Sequence, residues 1–318
     1  MANQIKINGI RLYKNLVQVT QEDMDSSASS EVPLYRDLSA SKINMVFMTL
    51  NKTGKKAFVS GTIAEKYFGQ MVQGSRKRAY TPKTCSFSIY PHHYRMHLLG
   101  FLLERIGRFQ LRFLYMTCSN SMLTFVIEEQ TCDAFIKMLS ENFDLPLSHV
   151  PFEQKENNDE SLFLKKKYPE SRASYMEKKI KTYGITLTQN LKLHSYFFPL
   201  NRLLKFGQNI LSLIDKEDQF FHTSAYMTSV DGVGFAVLTD QLFYLPPDKL
   251  SDAELLCFHG PHFGDRHSII SRALNCLFKN RVQILTADCT GASISIILPK
   301  GKGQEAKNAL VDVFEVPA

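Results

Sequence analysis

Long hydrophobic runs are missing from this sequence: no window approaches eighteen uninterrupted apolar residues, which excludes an ordinary membrane-spanning helix. Residues 1–10 carry Gln, Lys and Asn where a secretory signal needs a continuous apolar stretch, so a soluble cytoplasmic protein is expected. Paired cysteines are absent as well. Cys85, Cys118, Cys132, Cys257, Cys276 and Cys289 stand singly in apolar surroundings with no CxxC, unlike a secreted disulfide scaffold, and read as buried thiols. Nor is there a strong excess of one charge, since 38 basic against 31 acidic residues give +7 over 318 residues. The basic clusters at 76–78, 165–167 and 178–181 are short and scattered. No nucleic-acid or membrane partner is expected.

Phosphate loops and nucleophile elbows are also lacking: neither Gly-x-x-x-x-Gly-Lys-Ser/Thr nor Gly-x-Ser-x-Gly occurs. Gly232-Val233-Gly234 runs into Phe235-Ala236-Val237-Leu238, a strand context, whereas a dinucleotide fingerprint follows a strand and opens a helix. Gly301-Lys302-Gly303 reads as a flexible strand-to-helix loop.

What is present is a repeat. Gly9-Ile10-Arg11-Leu12-Tyr13-Lys14-Asn15-Leu16 returns as Gly184-Ile185-Thr186-Leu187-Thr188-Gln189-Asn190-Leu191, and Pro33-Leu34-Tyr35-Arg36 returns as Pro199-Leu200-Asn201-Arg202. Pro91-His92 followed by His97 is echoed by Pro261-His262 followed by His267, and 118–127 by 289–298. Two copies in one order fix architecture more firmly than local propensity. Between them, 153–181 is rich in Glu, Lys and Asn and reads as an exposed linker.

Each copy divides again. From Leu255 onward a strand (255–258) leads through a turn-rich stretch into a helix marked by Ile269, Ile270, Ala273, Leu274 and Leu277. Val282, Ile284 and Ala287 suggest a second strand, the alternation at 292–298 a third, and Ala306, Ala309 and Leu310 a second helix. Residues 313–316 either end that helix or form a last short strand. The same βαββα order fits 85–152, and Asp231-Gly232 between two apolar runs marks a hairpin in the third unit. The expected organisation is α+β: four ferredoxin-like units at 1–80, 81–152, 182–250 and 251–318, around the linker.

These residues resemble the ACT domain family, a βαββαβ regulatory module, and in particular the paired ACT region of aspartokinases. The repeated Gly-Ile-x-Leu-x-x-Asn-Leu is similar to the entry strand of the first aspartokinase ACT unit, and Lys42-Ile43-Asn44-Met45 to its helix-to-strand step. Gly264-Asp265-Arg266-His267-Ser268-Ile269-Ile270 is similar to the ACT loop Asp-Arg-Pro-Gly-aliphatic-aliphatic, 288–297 to the closing hairpin, and 305–314 to the second helix. The resemblance implies four ACT units in two pseudo-symmetric pairs, first with third and second with fourth, without a kinase domain. It implies a non-catalytic amino-acid sensor of aspartokinase type needing no cofactor, with a small amino acid held at seams between units. A homodimer or an internal pseudo-dimer is expected, with a biosynthetic enzyme as partner.

In that family the ligand lies against the first loop and helix start, whose amides suit a carboxylate. Here the ligand set implied is Gly264, Asp265, Arg266, His267, Ser268 and Ile269, with Asn44 and Asn209 on the helix-to-strand step of the first and third units, and Gln283. Asp265 either caps a helix starting near Arg266 or also accepts from an ammonium group. His267 and Ser268 replace the family's Pro and Gly, and Val46 stands where lysine-sensing members carry an acidic residue, which argues against lysine. The histidines leave a second reading open: His92, His93 and His97, and His259, His262 and His267, either bind a transition metal, helped by Cys118 or Cys289, or bond nearby carbonyls. A ligand-free interaction scaffold is the third reading. An enzyme is disfavoured, because sequence supplies candidate groups but no assembled base and nucleophile.

Overall fold

The computed structural model describes residues 5–22, 32–53, 56–71, 78–90, 96–119, 122–145, 152–153, 179–212, 220–228, 231–240, 246–260, 263, 267–290 and 293–316. The first half runs β1 (Ile5–Lys6), β2 (Gly9–Glu22), α1 (Leu34–Ala40), β3 (Phe47–Thr53), β4 (Lys56–Ala64), a short α2 (Phe68–Met71), β5 (Arg78–Tyr90), α3 (Met96–Arg108), β6 (Tyr115–Cys118), β7 (Leu123–Glu128), α4 (Cys132–Asn142), β8 (Phe143–Asp144) and β9 (Phe152–Glu153). The second half repeats the order: β10 (Ile180–Lys181), β11 (Gly184–Pro199), α5 (Leu203–Ser212), β12 (Phe221–Met227), β13 (Gly232–Thr239), β14 (Lys249–His259), α6 (Ile269–Lys279), β15 (Thr286–Thr290), β16 (Ser293–Pro299), α7 (Gly303–Leu310) and β17 (Phe314–Glu315). The helix expected at 305–314 thus stops at Leu310, and Phe314 lies in a strand that pairs with β10, as β8 pairs with β1.

The strands form two faces of one continuous, mainly antiparallel array. One face runs β9, the start of β2, the end of β5, β7, β6, β12, β13, the end of β11 and the start of β14. The other runs the start of β5, the end of β2, β4, β3, β15, β16, the end of β14 and the start of β11. Four long strands, β2, β5, β11 and β14, therefore belong to both faces. The expected unit boundaries at 80/81 and 250/251 fall inside two of them.

A strand that leaves one sheet for another needs a local break in register. The repeated motif supplies it: Asn15 and Asn190 both adopt left-handed backbone (φ 57° and 59°), each inside a register shift. Asparagine tolerates that region better than most residues. Asn15→Gly and Asn190→Gly are expected to leave unfolding free energy within ~0.5 kcal/mol of wild type, and the corresponding Val variants to cost ~1–2 kcal/mol each in urea titrations.

Helices cover the outer side of each face. α3, α4 and α5 share a core with the first face through Leu99, Leu103, Phe125, Phe135, Leu203 and Phe235, and α1, α6 and α7 share one with the second through Leu34, Leu38, Leu274, Ile296 and Leu310. A smaller apolar cluster, with Leu193, Leu238, Leu255 and Ile297, lies between the sheets. Three helices end alike: Lys42, Gln110 and Arg281 take φ of 56°, 51° and 56°, and the next amides, Ile43, Leu111 and Val282, donate back to Leu38, Ile106 and Leu277 at 2.9, 3.0 and 2.9 Å. This hydrogen-bonded C-cap drops an apolar residue into the core and puts Asn44, Arg112 and Gln283 at equivalent places on the way to the next strand.

The pairing of the units corrects the expectation. β3 joins β15 and β6 joins β12, so the stretch expected as the first unit pairs with that expected as the fourth, and the expected second with the expected third, not first with third and second with fourth. Two physical reasons stand out. The long strands carry the two units of each half into opposite sheets, and α3 and α5 fit backbone against backbone through glycines. A Cβ on Gly107 would lie 2.2 Å from the Leu204 nitrogen, and one on Gly207 2.3 Å from the Glu104 nitrogen.

Candidate functional site

Where first and fourth units meet, α1 and α6 run antiparallel beside the β3–β15 seam. Ser39 Oγ, late in α1, donates to Ser268 Oγ at 2.7 Å, just ahead of α6. At the far end Tyr35 stacks on Phe278 with ring centroids 6.5 Å apart, and the Arg36 guanidinium donates to Asn275 Oδ1. Antiparallel strands make the seam two-ended. Asn44 follows α1 and so lies at the Ser268 end, while Gln283 follows α6 and lies at the other.

The expected ligand residues therefore part company. Ser268, Ile269 and Asn44 come to one end of one seam, with Ile269 buried and His267 exposed beside them. Gly264, Asp265 and Arg266 lie outside the described residues. The helix expected near Arg266 begins at Ile269, and Ser268 before it is left-handed (φ 74°, ψ −7°). Asn209 is not on a helix-to-strand step; it sits inside α5, because that helix continues to Ser212, and it belongs to the other pair of units. At the Gln283 end, Arg78 is buried, pairs with Asp37 at 2.5 Å and donates to the Val32 carbonyl at 3.1 Å, which Gln21 also reaches.

Of the histidines, His92, His93 and His262 lie outside the described residues. His97 is exposed on α3, and His259 ends β14 with its ring 5.4 Å from that of Tyr183. Among the described residues no group of three His, Cys, Asp or Glu side chains is arranged to hold a metal ion. Cys118 does meet a histidine, but His222 instead of one of the loop histidines.

That contact belongs to a polar layer between the sheets, which sequence reasoning missed. Cys118 Sγ lies 3.3 Å from His222 Nδ1, and His222 Nε2 lies 3.4 Å from Asp288 Oδ2 on the opposite sheet, with both side chains of the His–Asp pair at least 96 % buried. Burial favours the neutral ring, yet Cys118 and Asp288 outweigh it and raise the His222 pKa well above the usual histidine value. Burial pushes the Cys257 thiol up, and the Cys289 thiol up to about 12, so neither is a ready nucleophile. Nearby, Thr20 and Tyr115 bridge the sheets at 3.1 Å, and Thr62 Oγ1 donates to Gln18 Oε1 at 2.5 Å.

No family model matches the sequence, and no curated protein is similar to it. Over the whole of this chain the fold superposes on the crystal structure of aspartate kinase from Synechocystis, with a TM-score of 0.73 at 12% sequence identity, covering 58% of that kinase. The fold is shared with an aspartate kinase. At this identity the likeness is one of fold, and the chain spans 58% of that kinase's length. The regulatory subunit of aspartate kinase from Thermus thermophilus, in its ligand-free form, aligns with 43% of this chain and 99% of its own at 9% identity. Its TM-score of 0.38 is too low to bear on the fold. Among the described residues no helix is long and apolar enough to cross a membrane.

Proposed function

We propose that this chain is a non-catalytic regulatory assembly of four ACT-type units, 1–80, 81–152, 182–250 and 251–318, that senses a small amino acid at the seam between the first and fourth units. The long strands are shared by neighbouring units, and the internal pairing takes the place of a dimer of separate chains. The ligand end is the one that gathers Ser268, Ile269 and Asn44, and Gly264, Asp265 and Arg266, just ahead of them in the sequence, belong to the same ligand set. Its output goes to a biosynthetic enzyme in the cytoplasm.

One observation supports this most. Ser268 has φ of 74°, a left-handed setting that favours glycine, at the position where the resembled motif carries glycine, and its hydroxyl touches α1. The left-handed turn that leads into α6 thus survives the serine, and its hydroxyl reaches a second helix.

Thermal unfolding of the full chain against the twenty amino acids tests the reading. One or two should raise Tm, reaching a stabilisation of about 2.7 kcal/mol at a hundredfold excess over Kd. Asp265→Ala and Asn44→Ala should remove that shift, while Asn209→Ala should leave it. A shift that survives both replacements, or none with any amino acid, would overturn the assignment.

A further inference from the structure

The helix-facing core of the first face brings together two cysteines that are well separated in the sequence. Cys85 lies on β5 opposite Ile127 of β7, and β7 runs through a short turn at 129–131 into α4, whose first residue is Cys132. β5 packs against that turn, so strand and helix start are neighbours, and the two thiols meet in a hydrogen bond. Both cysteines are free, at 0% and 2% exposure. The other four have different surroundings. Cys118 meets His222, Cys257 meets Ser295, Cys276 donates to the Ala309 carbonyl, and burial holds the Cys289 thiol protonated.

The two sulfurs of the pair are unequal. The Cys85 thiol donates and the Cys132 sulfur accepts, which lowers the Cys132 pKa and, together with burial, raises that of Cys85. The Lys14 ammonium pulls Cys132 further in the same direction. So does its place in the first turn of α4, where the helix amides favour negative charge and no side chain caps them: the Thr131 hydroxyl donates back to the Glu128 carbonyl instead. Little separates Cys132 from solvent, since Thr131 before it is half-buried and Asp133 after it is exposed. A reagent the size of water needs only a small opening of the helix end to reach it.

We infer that Cys85 and Cys132 form a dithiol oxidised by hydrogen peroxide, with Cys132 as the nucleophile and Cys85 as the resolving thiol. The Cys132 thiolate attacks one peroxide oxygen: an S–O bond forms, the O–O bond breaks, and the departing hydroxide takes up a proton to leave as water. The Cys85 sulfur then attacks the sulfur of the Cys132 sulfenic acid: the S–S bond forms, the S–O bond breaks, and the hydroxyl leaves as a second water with the Cys85 proton. Two thiols lose two electrons and one peroxide gains them. The product ties β5, a strand shared by both faces, to the start of α4. Peptide mapping by mass spectrometry of the full chain, reduced and then treated with hydrogen peroxide, should find residues 85 and 132 linked with the loss of two hydrogens, and dithiothreitol should restore both thiols. The rate should follow a thiolate that forms below the ordinary cysteine value of ~8.5. In Cys85→Ala no resolving thiol remains, so dimedone should trap the sulfenic acid at Cys132, whereas Cys132→Ala should leave Cys85 unlabelled. Oxygen added at Cys132 without a link in the wild-type chain, equal reaction of all six thiols, or a rate that follows an ordinary thiol would each overturn the assignment.

Discussion

Gly107→Ala should lower the unfolding free energy by about 3 kcal/mol or more, a large effect for one methyl group. The added carbon would meet the Leu204 nitrogen at 2.2 Å and its Cα at 2.6 Å, and backbone cannot rotate away as a side chain can. Relief requires α3 and α5 to separate, which opens the core that holds Leu203 and Ile210. Gly207→Ala should behave alike, since its new methyl would meet Glu104 from the other helix. Gly69 is the control: it lies in α2, where an added methyl would meet nothing within 4 Å, and alanine there should gain up to about 1 kcal/mol. Equilibrium denaturation of the three variants measures the differences. Comparable stability of Gly107→Ala and Gly69→Ala would mean that the second and third units do not meet through these helices.

The second large effect concerns the buried pair across the sheets. Asp288→Asn keeps the shape but removes the charge that faces His222, and breaking a buried pair in this way costs about 3–5 kcal/mol. The pH dependence follows from the direction of the shift. His222 is raised in the folded protein, so its stabilising contribution is complete below the unfolded histidine value of ~6.5. It is lost as pH rises through the higher folded value. Wild-type stability should therefore decline above about pH 6.5, and the decline should flatten in Asp288→Asn. Replacing His222 and Asp288 together by leucine should cost less than the sum of the single changes, because no lone charge is left buried. Additive losses with an unchanged pH profile would rule out the pair.

How much of this is legible in the sequence depends on how local each signal is. α6 is readable from Ile269, Ile270, Ala273, Leu274 and Leu277, and the β12–β13 hairpin from Asp231-Gly232, because periodicity and turn chemistry act within a few residues. The repeat even contains the bulge, since Asn15 and Asn190 occupy the same place in both copies. Which unit pairs with which is not legible. Strand edges carry no address, and the choice rests on glycines in two helices that only the assembled fold brings together.

The candidate site divides in the same way. The entry into α6 is legible from the aliphatic spacing that starts at Ile269, whereas the placement of Asn209 fails because α5 runs on past it. The His222–Asp288 pair is hidden for another reason. His222, Ser224 and Tyr226 alternate along β12, and Thr286, Asp288 and Thr290 along β15, a pattern that ordinarily marks a wet face. Here each sheet is covered on both sides, so those polar faces meet each other instead of solvent.

The connection of β3 to β15 also bears on how the chain is made. Residues of the second and third units can pair soon after they leave the ribosome, but the edge of β3 must wait for β15. At about 5–20 residues per second, that interval is ~10–50 s. Through it, the first unit presents a strand edge suited to any passing β-strand, including one from another nascent copy. Crowded synthesis on one messenger would then favour exchanged partners, with β3 of one chain closed by β15 of the next, a route to intertwined dimers that dilute translation would avoid.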